Sequence, residues 1–212
     1  MEATIRQSGT EPPRAEFLSR CKPSATLVVN EKSAELVAAG VDVARFGLGQ
    51  SPFPVPEHVV SALRENAFQK DYLPVAGLPA LREAVAAWHR RHGQPSARTE
   101  GVFIGPGSKE LLFLVQMVID GELLVPSTAW VTYAPQSIII GRHPYVPLPT
   151  SFETRYRLLP SVLEAHCAAG GAKPRLLILC TPGNPDGLCY TREELEALAV
   201  VCRKHNIIVL SD

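Results

Sequence analysis

Two apolar runs bracket a signalled helix near the carboxyl end of the chain, and that arrangement constrains the fold more than any other feature. Arg175-Leu176-Leu177-Ile178-Leu179-Cys180 is one run and residues 206–210 are the other; both are short and bounded by turn residues. Runs of that length without polar alternation are expected of strands buried on both faces, as in a parallel sheet. Between them Thr191 and Glu194 have the spacing of a capping box, and Leu195, Leu198, Ala199 and Cys202 supply one apolar stripe. A strand, a helix and a second strand in that order predict a parallel βαβ unit.

The same alternation extends backward. Val102-Phe103-Ile104 reads as a strand leading through Gly105-Pro106-Gly107 into a buried helix carrying Leu111, Leu112, Leu114, Val115 and Val118, and Glu122 to Val125 reads as another strand. Val59, Val60, Leu63 and Ala67 recur at helical spacing after Pro56, and Pro79 opens a helix with Leu81, Ala84, Val85 and Trp88 on one face. Residues 41–46, with Val41, Val43 and Arg45 alternating, read as a short strand before a proline-rich loop. The expected class is α/β, a three-layer fold around a mostly parallel sheet.

Composition excludes several functions. Lys plus Arg and Asp plus Glu are each 21, so no net field draws the chain to nucleic acid or an anionic membrane. The five cysteines (Cys21, Cys167, Cys180, Cys189 and Cys202) are scattered, without a C-x-x-C pair, which argues against a disulfide framework or a metal site and for a reducing compartment. Residues 1–20 mix Arg6, Arg14 and Arg20 with Glu2, Glu11 and Glu16 and hold no apolar run. No leader or spanning helix is expected, and a cytoplasmic location follows.

Ligands of such sheets collect beyond the carboxyl ends of the strands, so the loops after Ile104, Val125, Cys180 and Leu210 are the places to search. Gly105-Pro106-Gly107-Ser108-Lys109 puts small residues at a helix start, where free N–H groups favour a phosphate; an ordinary tight turn with Ser108 as N-cap is the plain alternative. It is neither a P-loop nor a dinucleotide loop, since Gly-Lys-Ser/Thr is absent and Glu110 stands where the latter's third glycine belongs. Thr181-Pro182-Gly183-Asn184-Pro185-Asp186-Gly187 is more specific, because its prolines and glycines exceed what a turn requires and hold the Asn184 amide at a strand end.

This last segment resembles the TPGNPTG signature of class I and II aminotransferases, the fold-type-I pyridoxal-phosphate enzymes. Four further segments are similar to that family's motifs in the same order: Gly49-Gln50-Ser51-Pro52-Phe53-Pro54-Val55-Pro56-Glu57, Tyr72-Leu73-Pro74-Val75-Ala76-Gly77 with Leu81-Arg82-Glu83-Ala84, Gly107-Ser108-Lys109, and Ala129-Trp130-Val131-Thr132-Tyr133. Residues 207–212 resemble its strand ending in an aspartate, with Asp212 lying 28 positions after Asn184.

The resemblance implies a large cofactor domain, truncated, over residues 47–212, with residues 1–46 forming an amino-terminal arm and a segment of the small domain. It implies pyridoxal 5'-phosphate as cofactor, with Gly107, Ser108 and Lys109 at its phosphate, Trp130 stacked on its ring, Asn184 at the ring 3'-oxygen and Asp212 at the ring nitrogen. Tyr72 would reach the phosphate of a neighbouring subunit, so a homodimer with shared sites follows; Gly49 would offer its N–H to the substrate carboxylate, while Trp130 and Asn184 also border the substrate. The implied substrates are an amino acid and a 2-oxo acid.

The family's Schiff-base lysine follows its aspartate. Lys22, Lys32, Lys70, Lys109, Lys173 and Lys204 all precede Asp212, and none has a matching context. The expectation is a truncated product or incomplete gene model, poorly stable and inactive alone. Other fold-type-I chemistries (lyase, decarboxylase, synthase) and a non-catalytic regulatory or interaction protein keeping the fold are the alternatives.

Overall fold

The computed structural model describes residues 24–47, 49–141 and 144–212. The expectations that rest on residues 1–23, among them Cys21 and Lys22, lie outside the described residues. The described residues form two compact units, one up to Leu111 and the other from Leu112 to Asp212.

The second unit is built on four parallel strands: β1 (Glu122–Pro126), β2 (Tyr145–Leu148), β3 (Arg175–Leu179) and β4 (Ile207–Ser211), in the order β2-β1-β3-β4. The connections run through α5 (Tyr133–Ile140), α6 (Pro160–Ala169) and α7 (Arg192–Lys204). Both expected apolar runs are strands, one register position from their expected limits, but only β3 is buried throughout; β4 lies at an edge of the sheet, with Ile208 and Val209 exposed.

Strand pleating sorts the core into two halves. Leu124, Leu177, Leu179 and Ile207 meet Leu163 and Cys167 of α6 and Leu198, Val201 and Cys202 of α7. Their alternates Leu123, Val125, Leu176 and Ile178 meet Tyr133 of α5 and Leu112, on the helix α4 (Ser108–Val118) whose first residues belong to the other unit. Helices on both faces of a parallel sheet are the three-layer class expected. The capping box of α7 is complete: Thr191 Oγ1 accepts from Glu194 N at 3.2 Å, and Glu194 Oε2 accepts from Thr191 N at 2.7 Å. Val201, rather than Ala199, completes its buried stripe.

An ion cluster closes the amino end of the sheet. Glu122 and Arg175 are register partners on β1 and β3, bonded through Arg175 Nε to Glu122 Oε2 at 3.2 Å. Lys173 and His166 reach the same carboxylate, and Arg175 Nη2 also donates to Gly171 O at 2.7 Å at the end of α6.

The first unit holds α1 (Ala25–Ala38), α2 (Glu57–Asn66), α3 (Pro79–Arg91) and a 3-10 turn at Thr99–Gly101. Several expectations fail. Residues 41–46 form no strand: Val41 N donates to Leu36 O and Gly40 N to Val37 O, so this stretch closes α1 with a left-handed Gly40 at φ 83°. Val102-Phe103-Ile104 is not a strand either, since no strand pairs with it among the described residues; Ile104 N donates instead to Ala76 O at 3.0 Å. The helix α4 is not buried throughout, for Leu114, Met117 and Val118 are exposed and only Leu112 and Gln116 are buried. On α3 the buried residue is Ala86, while Leu81 and Trp88 stay exposed. The helices α1, α5 and α6 and the edge strand β2, which carries Pro147, were not expected from the pattern.

Candidate functional site

Strand order fixes where the site lies. From β1 the chain moves outward to β2, then returns across β1 to β3, so the crossover sense reverses between β1 and β3. Ligands bind doubly wound sheets at such a reversal, outside the strand carboxyl ends. Pro126 at the end of β1, Thr128 and Ala129 after it, and Cys180, Gly183 and Asn184 after β3 line one small cavity there, together with Tyr133, Tyr156, Arg157, Asp186 and Tyr190. Its volume is about 30 Å³ and it opens to solvent, so a heteroaromatic ring would lie partly outside it.

The loop after β3 is tightly self-bonded. Gly187 N donates to Gly183 O at 2.7 Å, Gly183 N to Leu188 O at 2.8 Å, and Tyr190 N to Thr181 Oγ1 at 3.4 Å. Asp186 Oδ1 accepts from Leu188 N at 3.0 Å, closing a turn within the loop. A methyl group on Gly183 would collide with that same carboxylate, so a side chain there requires Asp186 to give up its place in the turn. Gly187 supplies the left-handed residue at φ 69°, and the peptide bonds 181–182 and 184–185 are cis. Asn184 sits between the loop's two closing glycines with its side chain exposed.

Asp212 follows β4. Its N–H donates to Leu179 O at 3.1 Å and its carbonyl accepts from Thr181 N at 3.2 Å, extending the β3–β4 pairing and bringing the main chain of Asp212 beside the Asn184 loop. Its carboxylate is held from α5, where Tyr133 Oη donates to Asp212 Oδ2 at 2.6 Å. Tyr133 is 1% exposed, and burial, then the hydrogen bond and charge of Asp212, raise its phenol well above the ordinary range. It therefore stays a proton donor at every physiological pH. Trp130 is partly buried, with its ring edge-on to Tyr133 at 5.7 Å between centroids.

Tyr133, three residues after Trp130, had no assigned role in the sequence reading, because its partner lies 79 residues away. Arg157 was missed entirely. It is 7% exposed, its guanidinium donates to Cys189 O, and it lies 4.9 Å over the Tyr190 ring, whose hydroxyl accepts from Leu158 N at 3.0 Å. Cys180 Sγ donates to Pro182 O at 3.2 Å beneath the same loop.

Gly107, Ser108, Lys109, Tyr72 and Gly49 belong to the first unit. Ser108 is the first residue of α4, and a Cβ at Gly107 would meet open space. Lys109, Gly49 and Tyr72 are exposed, Tyr72 fully so. Among the described residues no group of His, Cys, Asp or Glu could hold a metal ion, the four described cysteines are free thiols, and no helix is long and apolar enough to cross a membrane.

A parallel α/β layer with an amide loop at its switch point and a buttressed aspartate after the neighbouring strand places the chain among doubly wound α/β proteins, and comparison with known proteins narrows that class. The sequence model described as "Aminotransferase class I and II" matches residues 41–212, and the chain belongs to that family. A probable aspartate/prephenate aminotransferase of Aquifex aeolicus is 35% identical over 206 residues, covering 93% of this chain and 50% of the relative. An aspartate aminotransferase of Bacillus subtilis is 32% identical, covering 93% and 51%. Among solved structures, the aspartate aminotransferase of Thermus thermophilus with maleate superposes with a TM-score of 0.86 at 33% identity, covering 95% of this chain and 53% of that one. The chain thus spans about half the length of the relatives it matches.

Proposed function

We propose that the gene product carrying this chain catalyses reversible amino transfer between an amino acid and a 2-oxo acid, using pyridoxal 5'-phosphate. The observation that carries this reading is the Asp212 carboxylate, anchored by its main chain to β3 and by Tyr133 at 2.6 Å, beside the Asn184 loop. The donor set suits the cofactor chemically: a carboxylate for a ring nitrogen, an amide for a phenolate-like oxygen, an indole for a flat electron-poor ring, and glycine-turn N–H groups for a phosphate.

When bound, pyridoxal phosphate supplies an electron sink for charge developing at the substrate α-carbon. Asp212 would keep a proton on the ring nitrogen, and Tyr133 would hold that carboxylate in one orientation. Asn184 would donate to the ring 3'-oxygen and border the substrate, while Trp130 would cover the ring face. Gly107, Ser108 and Lys109 would hold the phosphate, and Gly49 N–H would meet the substrate carboxylate.

We further assign residues 47–212 to the cofactor domain and residues 1–46 to an arm and small-domain segment, in a cytoplasmic homodimer whose Tyr72 reaches the partner's phosphate. Full exposure of Tyr72, with Val75 and Leu73 beside it, supports a partner on that turn. The relatives' names make aspartate the first amino donor to test.

Amino transfer from aspartate to 2-oxoglutarate by the complete gene product tests the reading. Asp212→Ala is expected to lower kcat by about 100-fold or more, the scale on which one preorganised electrostatic partner acts. Unchanged kcat in that variant would refute the assignment.

A further inference from the structure

We propose that Arg82 is a positioning residue for the phosphate turn, locking the backbone that delivers Gly105–Lys109; this rests on reading that turn as the phosphate cup. Arg82 projects from α3 and spends its fork on two main-chain carbonyls: Nε donates to Val102 O at 2.7 Å and Nη2 to Thr99 O at 2.8 Å. Those carbonyls bracket the 3-10 turn Thr99–Gly101, the last element before the glycine turn. A planar guanidinium can meet both at once, and an ammonium cannot reproduce that fixed fork.

The next link is Ile104. Its N–H donates to Ala76 O at 3.0 Å, and a Cβ on Gly77 would fall 2.5 Å from Ile104 Cβ, at a residue whose φ is 102°. Gly77 N in turn donates to Pro74 O at 2.8 Å, so the turn following Tyr72 is packed against the residue that precedes Gly105. Gly105 lies against Leu111 in the first turn of α4, where an added Cβ would come within 3.1 Å of the leucine side chain.

Residues 102–104 have no strand partner among the described residues, so ladder bonds do not hold them. Arg82 and Ala76 hold them instead. A cup made of main-chain N–H groups binds phosphate only if those groups converge to within about 0.5 Å of their productive placement. The clamp therefore acts on phosphate recognition through backbone placement, with no contact from Arg82 to the ligand.

The test uses the complete gene product and two probes, pyridoxal 5'-phosphate and pyridoxal, which differ only in the phosphate. Arg82→Lys, which keeps the charge, and Gly77→Ala, which acts on the same backbone through Ile104, are measured beside the wild type. Wild type is expected to bind the phosphorylated probe more tightly, with inorganic phosphate competing. Each variant is expected to lower the ratio of the two affinities about tenfold, equivalent to ~1.4 kcal/mol, while pyridoxal binding holds. A ratio kept within about twofold of wild type in both variants would overturn the proposal, as would an equal loss for both probes, the signature of a general structural role. Wild type without phosphate preference would instead sink the phosphate-cup reading and the clamp with it.

Discussion

The phenol of Tyr133 shows how a single side chain prepares the site. Buried on α5 and bonded to Asp212, it leaves that carboxylate one fixed donor and directs it beyond the end of β4. Its phenol pKa is raised by burial and by Asp212, so the stabilisation it brings is complete below the ordinary phenol value of about 10 and is lost only as pH rises toward the raised value. Tyr133→Phe, which leaves the Asp212 carboxylate without this donor, is expected to cost about 1 kcal/mol in urea unfolding at neutral pH; an unchanged unfolding midpoint would contradict that role. The sequence displayed Tyr133 only as part of an aromatic segment. Asn184 stands out through its constrained loop after an apolar run, while Asp212 is marked only by the resemblance of its strand to the family's, and a contact across 79 residues leaves no local mark.

At the scale of the element, the loop after β3 and the helix after it were legible because their chemistry is local. The Thr191 and Glu194 pair closes as its spacing requires, and Thr191→Ala is expected to destabilise the unit by about 1 kcal/mol in thermal or denaturant melts. Asp186 stands where similar signatures carry threonine and caps Leu188 N, so the added charge also fastens the loop. Gly183→Ala, which sets a methyl against the Asp186 carboxylate, is expected to weaken pyridoxal phosphate binding by about tenfold, ~1.4 kcal/mol; Asp186→Ala in the same chain is expected to recover part of the loss by making room. The failures have equally physical causes. Residues 102–104 look like a strand by composition, yet a strand exists only with a neighbour to bond, and Val41 is consumed in capping α1. The edge strand β2 hides its identity behind Pro147, which a central strand would not tolerate.

For the whole molecule, the parallel sheet is tied at its two ends by different means: an ion cluster below and the site above. At the amino end, burial works to raise the Glu122 pKa, but hydrogen bonds from Lys173, His166 and Arg175 outweigh it and lower it below the ordinary value. Its contribution is therefore fully present above the usual carboxylate range, about pH 4.3, and is lost as pH falls through the lowered value. Glu122→Ala leaves Arg175, 2% exposed, without its carboxylate and is expected to cost about 3–5 kcal/mol of unfolding free energy at pH 7, a difference that shrinks in acid. Unfolding curves across pH that keep a constant gap would contradict that linkage. The fold class was readable from periodicity because alternation of apolar runs and capped helices is a property of sequence alone; the strand order, which places the site, is not, since pairing of β1 with β3 depends on the return of the chain from β2. The functional reading stands or falls on whether Asp212 and Asn184 form the ring-binding half of a pyridoxal phosphate site. The decisive experiment is the absorbance spectrum of the complete gene product titrated with pyridoxal phosphate, in wild type and in Asp212→Ala and Asn184→Ala. A saturable spectral change is expected in the wild type, shifted in position and weakened in affinity in both variants; identical spectra and affinities in all three proteins would contradict the assignment.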